Sequence, residues 1–445
     1  MSGWVAAMIG LAVLGAGADG PDPEAVERGR VALTTRSFVG PAWSLDAYAK
    51  AGSLWGEPAP DPQADPEGYA AAFRQRYGLH PAPYPNDGLP MGLRRAAGPV
   101  GTVGLALDCL VCHGGSIGGT SYVGLGNSQL DLKALLDDLT RAEGKVPPVS
   151  LFTVNSTRGT NNAGQIAVVL LSLRNEDLSF RKFPRFTGAR LPELDTPAWW
   201  NLGPKRTKYY DGRTDTRAIR SNMQFLLGEA TLDDLKELEP AFRDIDAYLK
   251  SLTPPKYPFP IDTVMAEQGR LVFEAYCARC HGTYGPDETY PNKIVPTEIV
   301  GTDPARLRGL TDRFVAHYNA TWFGGEHPVE EPAIGYQAPP LRGIWATAPY
   351  LHNGTVPTLY HLLKSSERPT RFRRPPSTDF AHYDTERVGW RFEVLEKPPS
   401  ANLSRFEAKW IVDTSRWGLG NEGHTFGDKL SDEQRAAVIE YLKTL

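Results

Sequence analysis

The sequence predicts a mostly α-helical fold of two domains, with long irregular loops and few short strands. Glycine and proline are frequent, at 44 and 38 of 445 residues, which is typical of loop-rich chains with short helices. Leucines recur at helical spacing over 127–141 (NSQLDLKALLDDLTR). Residues 244–252 (DIDAYLKSL) resemble 437–445 (AVIEYLKTL), so one helix occurs twice and indicates two versions of one domain.

The charge of the chain argues against one class of partner, and its hydrophobic content shows how large a core it can form. The formal net charge is −4 and no block of lysine and arginine occurs, which argues against a nucleic-acid partner. A hydrophobic fraction of 41% over 445 residues is enough to bury the cores of two domains.

The first 18 residues resemble a signal peptide. An apolar run over 4–14 is followed by the small residues Ala16, Gly17 and Ala18, although no lysine or arginine precedes Arg28. The run is too short to span a bilayer, and we expect no membrane span in the mature chain. A buried N-terminal helix is the alternative. We expect a periplasmic or secreted protein.

Helix boundaries are marked by capping residues. Thr231 with Asp234 predicts a helix start, and Pro240 suits the first turn of a following helix. Ser431 and Gln434 form the same capping pattern ahead of the last helix.

A proline cluster at 253–260 (TPPKYPFP) divides the chain. Such a cluster cannot continue a helix and forms a stiff linker. We therefore predict an N-terminal domain over 19–255 and a C-terminal domain over 256–445. Helices are expected from about 263 to 277 and over 431–445.

All four cysteines belong to one kind of motif. In each copy a Cys-x-x-Cys pair is followed at once by histidine: Cys109, Cys112 and His113, and Cys277, Cys280 and His281. This is the attachment pattern of c-type haem. Two thiols on one turn add to the porphyrin edge, and the imidazole that follows binds the iron. The sequence predicts two covalently bound haem c groups.

Two other uses of paired cysteines fit less well. The pairs of a structural zinc site are separated by about 15–20 residues, whereas Cys109 and Cys277 lie 168 positions apart. A thioredoxin-like redox pair lies in a βαβ unit and needs no following histidine.

The second haem lacks a methionine ligand downstream of its motif, because none of the five methionines follows Cys280. Unless Met265 reaches back, a second histidine completes the iron site. His424 is the first candidate, since its flanking glycines let the backbone approach the haem face. His352 is the second candidate.

The first domain offers few ligands opposite His113. His80 lies in a proline-rich loop, and Met223 is the remaining soft ligand. An open position at haem 1, as oxygen or peroxide chemistry requires, is therefore a reasonable expectation. Three aromatic residues are predicted to form an apolar distal pocket there, with plain core packing as the alternative: Trp199, Trp200 and Phe225.

The second domain resembles class I cytochrome c. Its helix before the haem motif carries Gly269, Phe273 and Cys277 at intervals of four, and in that family the glycine lets the C-terminal helix cross closely. Tyr441 is the expected partner of the aromatic residue. In the first domain Gly101, Leu105 and Cys109 keep this spacing, but the glycine-rich stretch predicts an irregular element. Both domains are thus expected to be cytochrome c-like.

Three further segments resemble the dihaem cytochrome c peroxidase superfamily, and most closely its rubber-oxygenase-like branch. They are 341–363 (LRGIWATAPYLHNGTVPTLYHLL), 195–200 (DTPAWW) and 423–427 (GHTFG). The resemblance implies a first haem that binds oxygen or peroxide, a second six-coordinate haem with His424 as its distal ligand, and a periplasmic or secreted setting.

Two functions follow from these observations. The first is a haem-dependent oxidoreductase, either a dioxygenase or a peroxidase, acting with oxygen or peroxide on a small-molecule or apolar substrate. Trp345 is a speculative bridge between the haems, with packing as the alternative. The second is a non-enzymatic electron-transfer cytochrome with a redox partner protein. A less favoured hypothesis makes the first domain a recognition module for a partner complex.

Overall fold

The computed structural model describes residues 20–147, 155–330, 332–399 and 402–445. The predicted signal peptide therefore lies outside the described residues. Within them about 40% of the residues are helical and 13% are in strands. The predicted mostly helical class with few strands is wrong, because sixteen strands form seven small sheets in this part of the chain. Most of these strands are too short to show the alternating pattern by which strands are recognised in a sequence.

The α-helices differ widely in length, and the longest has 20 residues. In chain order they are α1 (Pro23–Thr35), α2 (Leu45–Lys50), α3 (Pro66–Tyr77), α4 (Leu110–His113), α5 (Leu132–Ala142), α6 (Ala163–Ser172), α7 (Leu232–Ser251), α8 (Thr263–Tyr276), α9 (Ala278–His281), α10 (Thr297–Val300), α11 (Ala305–Arg308), α12 (Asp312–Ala320), α13 (Leu359–Leu363), α14 (Arg405–Ala408) and α15 (Asp432–Leu442). Within the described residues, none is long and apolar enough to cross a bilayer.

The strands pair antiparallel and hold the long loops together. They are β1 (Trp43–Ser44), β2 (Leu93–Ala97), β3 (Val103–Leu107), β4 (Gly114–Ile117), β5 (Thr120–Val123), β6 (Thr160–Asn161), β7 (Leu194–Asp195), β8 (Thr207–Lys208), β9 (Thr214–Asp215), β10 (Ile294–Pro296), β11 (Gly335–Gln337), β12 (Arg371–Arg373), β13 (Tyr383–Asp384), β14 (Gly389–Trp390), β15 (Glu393–Val394) and β16 (Ile411–Asp413). The larger sheets have the strand orders β1-β3-β2 and β15-β12-β16. Short ladders of this kind satisfy backbone groups that buried loops would otherwise leave unpaired.

Two helix pairs cross at very close range, α1 with α7 and α8 with α15. A Cβ atom on Gly269 of α8 would lie 1.8 Å from the Ala437 carbonyl oxygen of α15. A Cβ atom on Gly29 of α1 would lie 2.0 Å from the Asp244 carbonyl oxygen of α7. Glycine is therefore required at both crossings, because any larger residue would push the helices apart.

The sequence predicted an irregular element before the first haem motif, in the place that helix α8 takes before the second. The stretch that contains Gly101 and Leu105 is not the counterpart of α8, because strand β3 occupies 103–107. The counterpart is α1, with Gly29 in the position of Gly269. In the second crossing the ring centroids of Phe273 and Tyr441 are 5.3 Å apart, which confirms the predicted aromatic contact.

The capping predictions are confirmed, but one proline was misplaced. Thr231 and Asp234 form a capping box at the start of α7, and Ser431 forms one at the start of α15. Pro240 does not begin a second helix, because it lies in the interior of α7. The helix predicted over 127–141 is α5, which starts later, after its N-cap Asp131.

The division into domains at residue 255 stays a prediction. No helix or strand occupies 252–262, as expected for a proline-rich linker. Contacts cross the predicted boundary in several places. The Trp200 indole N–H donates to the Arg342 carbonyl at 2.8 Å, and the Ser116 and Thr378 hydroxyls are 2.7 Å apart.

Candidate haem sites

The first Cys-x-x-Cys-His motif follows strand β3 and forms the single turn α4. The Asp108 carboxylate accepts a hydrogen bond from the Leu110 N–H at 2.8 Å and pairs with the buried Arg94 guanidinium at 2.8 Å. This buried ion pair holds the start of the turn, so the two thiols and the imidazole leave it in a defined direction.

The thiols of the first motif form no disulfide, and Cys109 is exposed. Burial raises the pKa of the Cys109 thiol to about 12. Two residues of a later loop also have shifted pKa values. Tyr209 is 42% exposed and burial raises the pKa of its phenol, while Lys205 is half-buried and burial lowers its pKa to about 8.

His113 is neutral and is covered on one side. Burial lowers its pKa to about 3, and the nearby Pro197 carbonyl opposes that fall. The Trp199 indole stacks on the imidazole, with ring centroids 4.2 Å apart and planes 16° from parallel. The indole therefore covers the flat face of the ring and leaves the edge that carries its ring nitrogens free. A neutral imidazole held in this way is ready to bind a metal.

The second motif forms the turn α9 directly after α8. The Nδ1 atom of His281 lies 2.8 Å from the Pro339 carbonyl oxygen. A carbonyl only accepts, so Nδ1 carries the proton and Nε2 keeps its lone pair for a metal. Burial lowers the pKa of this imidazole too.

His424 faces His281 across a gap of suitable size. The two ring centroids are 6.2 Å apart and the rings are inclined by 61°. Metal–imidazole bonds of about 2.0 Å on each side require ring centres roughly 6 Å apart. Burial lowers the pKa of His424 to about 3, and its Nδ1 is buried without a hydrogen-bond partner in the described part of the chain. The donor set and its spacing therefore fit an iron held between two neutral imidazoles.

The loop that carries His424 is fixed by backbone contacts. His424 has φ +47°, and its N–H donates to the Val300 carbonyl at 2.6 Å. The Arg368 guanidinium donates to carbonyls on both sides, including that of Gly423 at 2.6 Å. A Cβ atom on Gly423 would lie 2.2 Å from the Gly301 backbone. This glycine was expected to admit the haem face, but it admits another stretch of backbone.

His352, the second candidate ligand, lies elsewhere. It is 6% exposed and stacks on Tyr336 with ring centroids 4.3 Å apart. Its Nε2 is 3.2 Å from the Tyr336 hydroxyl, and burial lowers its pKa to about 3. The ring of Tyr210 lies 6.0 Å away. The structure thus places His424, and not His352, opposite His281.

A second internal repeat surrounds these histidines, and sequence reasoning missed it. Residues 197–212 align with 339–354 without a gap, although only the first proline and the last glycine of the two segments are identical. Tyr209 and Leu351 occupy equivalent positions with φ +66° and +67°, and each carbonyl accepts a 3.2 Å hydrogen bond from the glycine N–H three residues later. Each copy starts with the proline that faces the histidine of its own haem motif. The backbone reveals this repeat and the sequence does not, because only two of the sixteen aligned positions are identical.

The two copies meet about a local two-fold relation. The Asp195 N–H donates to the His352 carbonyl at 3.0 Å, and the equivalent Gln337 N–H donates to the Tyr210 carbonyl at 2.8 Å. Tyr210 and His352 are themselves equivalent positions. The side chains of these two residues therefore lie where the segments that follow the two haem motifs come together.

The three predicted distal-pocket residues are not brought together. Trp199 lies against His113, and Trp200 is buried with its indole N–H bonded to the Arg342 carbonyl. Phe225 is 44% exposed on a 3₁₀ segment, Ile219–Gly228. The hydroxyl of Tyr209 donates to Ser221 on that segment at 3.1 Å, one turn before Phe225. No pattern in the sequence distinguishes Tyr209 from the other tyrosines.

Trp345, the speculative bridge, is a packing residue in the largest core cluster. It is 2% exposed, and its indole N–H donates to the Pro255 carbonyl at 3.1 Å. The rings of Tyr257 and Tyr383 pack against it edge-on.

Comparison with known proteins identifies the class of the site. A family model described as RoxA-like, cytochrome c-like matches residues 335–373, which contain the second copy of the repeat. Together with the two haem-attachment motifs, this match over 39 residues supports a cytochrome c-like protein that binds haem c.

Two relatives come from Sinorhizobium fredii (strain NBRC 101917 / NGR234). The uncharacterized protein y4iM is 28% identical over 296 residues, which cover 56% of this chain and 64% of the relative. The uncharacterized protein y4iJ is 28% identical over 263 residues, which cover 44% of this chain and 41% of the relative. The chain thus spans less than two thirds of the length of each.

Among solved structures, hydrazine synthase of Kuenenia stuttgartiensis pressurized with xenon matches 62% of this chain and 87% of its own, at 16% identity. The TM-score of 0.21 is too low for this likeness to support a common fold.

Proposed function

We propose that the chain is an exported dihaem c-type cytochrome with unlike iron sites, located in the periplasm or secreted. Cys277, Cys280, His281 and His424 would hold haem 2 with both axial positions filled, a state suited to electron transfer. Cys109, Cys112 and His113 would hold haem 1 with one axial position open for oxygen or peroxide. One observation supports this difference most strongly. The His424 ring faces the His281 ring with centroids 6.2 Å apart, whereas the ring that contacts His113 is the indole of Trp199.

The candidate ligands of haem 1 are engaged elsewhere. The Nε2 atom of His80 is 3.2 Å from the Asn127 side-chain oxygen, and burial lowers the pKa of this histidine to about 4. Met223 is 0% exposed and packs in a core cluster with Leu171 and Phe314. Neither side chain is available to His113, which supports an open position there.

Two aromatic residues are proposed to line the open side of haem 1. Iron would supply the redox centre when haem is bound. Tyr209 and Phe225 present partly exposed rings that would exclude water, while the Tyr209 hydroxyl is oriented by Ser221.

An open position at haem 1 would suit a rubber-oxygenase-like dioxygenase, which places both atoms of O₂ on the carbons of one cleaved double bond. A peroxidase is the second enzyme candidate, in which two electrons and two protons reduce hydrogen peroxide to water. In that case a partner protein would supply electrons at haem 2. Tyr210 and His352 lie where the two halves meet, which supports testing them first for electron exchange between the sites.

The spectrum of the oxidised, haem-loaded protein tests the proposal. We expect one high-spin and one low-spin haem in equal amounts. Two low-spin haems would contradict an open haem 1 and favour the alternative of a non-enzymatic electron-transfer cytochrome.

Turnover separates the two enzymes. Oxygen uptake that depends on an added isoprenoid would support the dioxygenase. Peroxide consumption that depends on a reduced donor would support the peroxidase. Phe225→Ala is expected to impair the first reaction more than the second, because an apolar substrate needs the aromatic surface and peroxide does not.

A further inference from the structure

Residues 180–190 (FRKFPRFTGAR) form an exposed segment of basic and aromatic residues, which we call the Phe-Arg segment. Phe180, Phe183 and Phe186 are 61%, 70% and 82% exposed. The segment also contains four basic residues and no acidic residue, although the whole chain has a net charge of −4. Aromatic side chains of this size are normally buried, so three exposed ones within seven residues indicate a binding surface.

The backbone of the Phe-Arg segment is fixed although its side chains are exposed. The Arg185 N–H donates to the Ser172 carbonyl at 2.7 Å, and the Thr187 carbonyl accepts from the Thr311 hydroxyl at 2.7 Å. The Arg190 N–H donates to the Gly309 carbonyl at 2.8 Å. A segment held in this way presents its phenylalanines without a large ordering cost on binding.

The surface continues beyond the segment. Trp417 is 52% exposed, and the Arg190 guanidinium lies over its ring at 4.2 Å. The two line a shallow cavity of 310 Å³ with Arg308. The one acidic residue of that cavity, Asp303, is engaged by the N–H groups of Ala305 and Gly420. The cavity therefore extends the positively charged and aromatic surface.

We propose that the Phe-Arg segment and Trp417 seat this protein on the surface of an anionic phospholipid bilayer. The phenylalanines would enter the interface, where their rings leave water, while the guanidinium and ammonium groups contact lipid phosphates. Charge complementarity supports this partner, because each basic residue near an anionic leaflet adds to the attraction. The inference does not depend on the chemistry at haem 1.

The binding surface differs from a typical protein-docking patch. Protein interfaces place aromatic residues in a buried centre with a polar rim, whereas here basic residues alternate with phenylalanine along the chain. Lysine and arginine side chains reach back from an inserted aromatic residue to the headgroups, which is the arrangement of interfacial membrane anchors.

Vesicle flotation of the haem-loaded full chain tests the proposal, with haem absorbance as the readout. We expect the protein to float with vesicles of phosphatidylglycerol and phosphatidylethanolamine and to stay behind with phosphatidylcholine alone. The double variant Phe183→Ser/Phe186→Ser should lower binding roughly tenfold or more. Lys182→Ser/Arg185→Ser should lower it less and make the remaining binding less sensitive to salt.

Matched controls keep the test decisive. Leu271→Ser and Lys50→Ser replace an exposed apolar and an exposed basic residue elsewhere and should leave flotation unchanged. An unchanged haem spectrum shows that each variant folds. Equal binding to both lipids, equal loss in the controls, or no flotation would overturn the proposal. Retention on polyglutamate beads through the same residues, without flotation, would replace the membrane by an acidic protein partner.

Discussion

The two helix crossings of this protein are both close enough to require a glycine, but they lie at different positions relative to their haem motifs. In the second half, Gly269 of α8 lies eight residues before Cys277, so the crossing leads directly into the motif. In the first half, Gly29 of α1 lies 80 residues before Cys109, and strands and helices fill the interval. Both halves of the chain keep the close helix crossing, because a Cβ atom on Gly29 or Gly269 would lie 2.0 Å or less from a carbonyl oxygen.

The helix pair and the haem motif are therefore separable parts of the structure. The helix crossing needs a glycine and two apolar faces, whereas the motif needs only a short turn and a carbonyl near its histidine. The first half meets the second requirement with strand β3, turn α4 and the Pro197 carbonyl, with no long helix before the motif.

Removal of the thiols should have the largest effect. Cys109→Ser/Cys112→Ser and Cys277→Ser/Cys280→Ser should each lower the mass of the protein by one covalent haem, because thioether bonds need both sulfurs. Intact-mass spectrometry measures this directly. If either pair left both haems attached, the assignment of that motif would be wrong.

Loss of His424 should convert haem 2 into a site like haem 1. We expect His424→Ala to change one low-spin haem to high spin, because the imidazole opposite His281 is removed. His352→Ala is the matched control, since this histidine is also buried but stacks on Tyr336. If haem 2 stayed low-spin in His424→Ala, the ligand assignment would be refuted. It would also be refuted if the His352→Ala control lost its low-spin haem.

Substitution of Gly29 and of Gly269 should lower the stability of the protein by similar amounts if the two helix crossings are equivalent. Gly29→Ala and Gly269→Ala should each lower the free energy of unfolding by about 3 kcal/mol, since the added methyl group meets a backbone carbonyl. Gly228→Ala is the control, because a Cβ atom there meets nothing within 4 Å. Thermal or denaturant unfolding of the haem-loaded variants measures the effect. A change at Gly29 as small as that of the control would show that the first crossing is dispensable.

Replacement of Lys205 should have the smallest effect on stability. The substitution compares the two copies of the repeat, because Thr347 occupies the position equivalent to Lys205. Burial lowers the pKa of Lys205 from 10.5 to about 8, so the folded state disfavours the ammonium that the unfolded state retains. This cost is fully present below pH 8 and disappears as pH rises towards 10.5. Lys205→Thr should therefore stabilise the protein by about 1 kcal/mol at pH 7, with allowance for partial exposure.

Unfolding measured at pH 7 and again above pH 10 tests this sign. The stabilisation should vanish at the higher pH. A variant that is less stable than the original protein at pH 7 would show that Lys205 has an anionic partner when haem is bound.

Much of the second half could be predicted from the sequence, because its features lie close together. The helix before Cys277, the final helix and its capping box at Ser431 are local patterns. The helix α1 was missed because its sequence relation to α8, ERGRVAL against EQGRLVF, lies far from Cys109. The many two-residue strands could not be predicted, because their pairing is decided by loops that are distant in sequence.

In the candidate sites, too, residues that belong to local sequence patterns could be predicted, and residues placed by distant contacts could not. The six residues of the haem motifs and His424 are recognisable from spacing and from flanking glycines. The roles of Trp199, Tyr209 and Lys205 depend on which face of a folded loop each side chain occupies. No periodicity in the sequence encodes that, so only the structure shows that Trp199 stacks on His113.

The most direct test of unlike iron sites is the amount of carbon monoxide that the anaerobically reduced protein binds. We expect one molecule of carbon monoxide per chain for the original protein and two for His424→Ala, since only an open axial position accepts it. Binding of none, or of two by the original protein, would contradict the account.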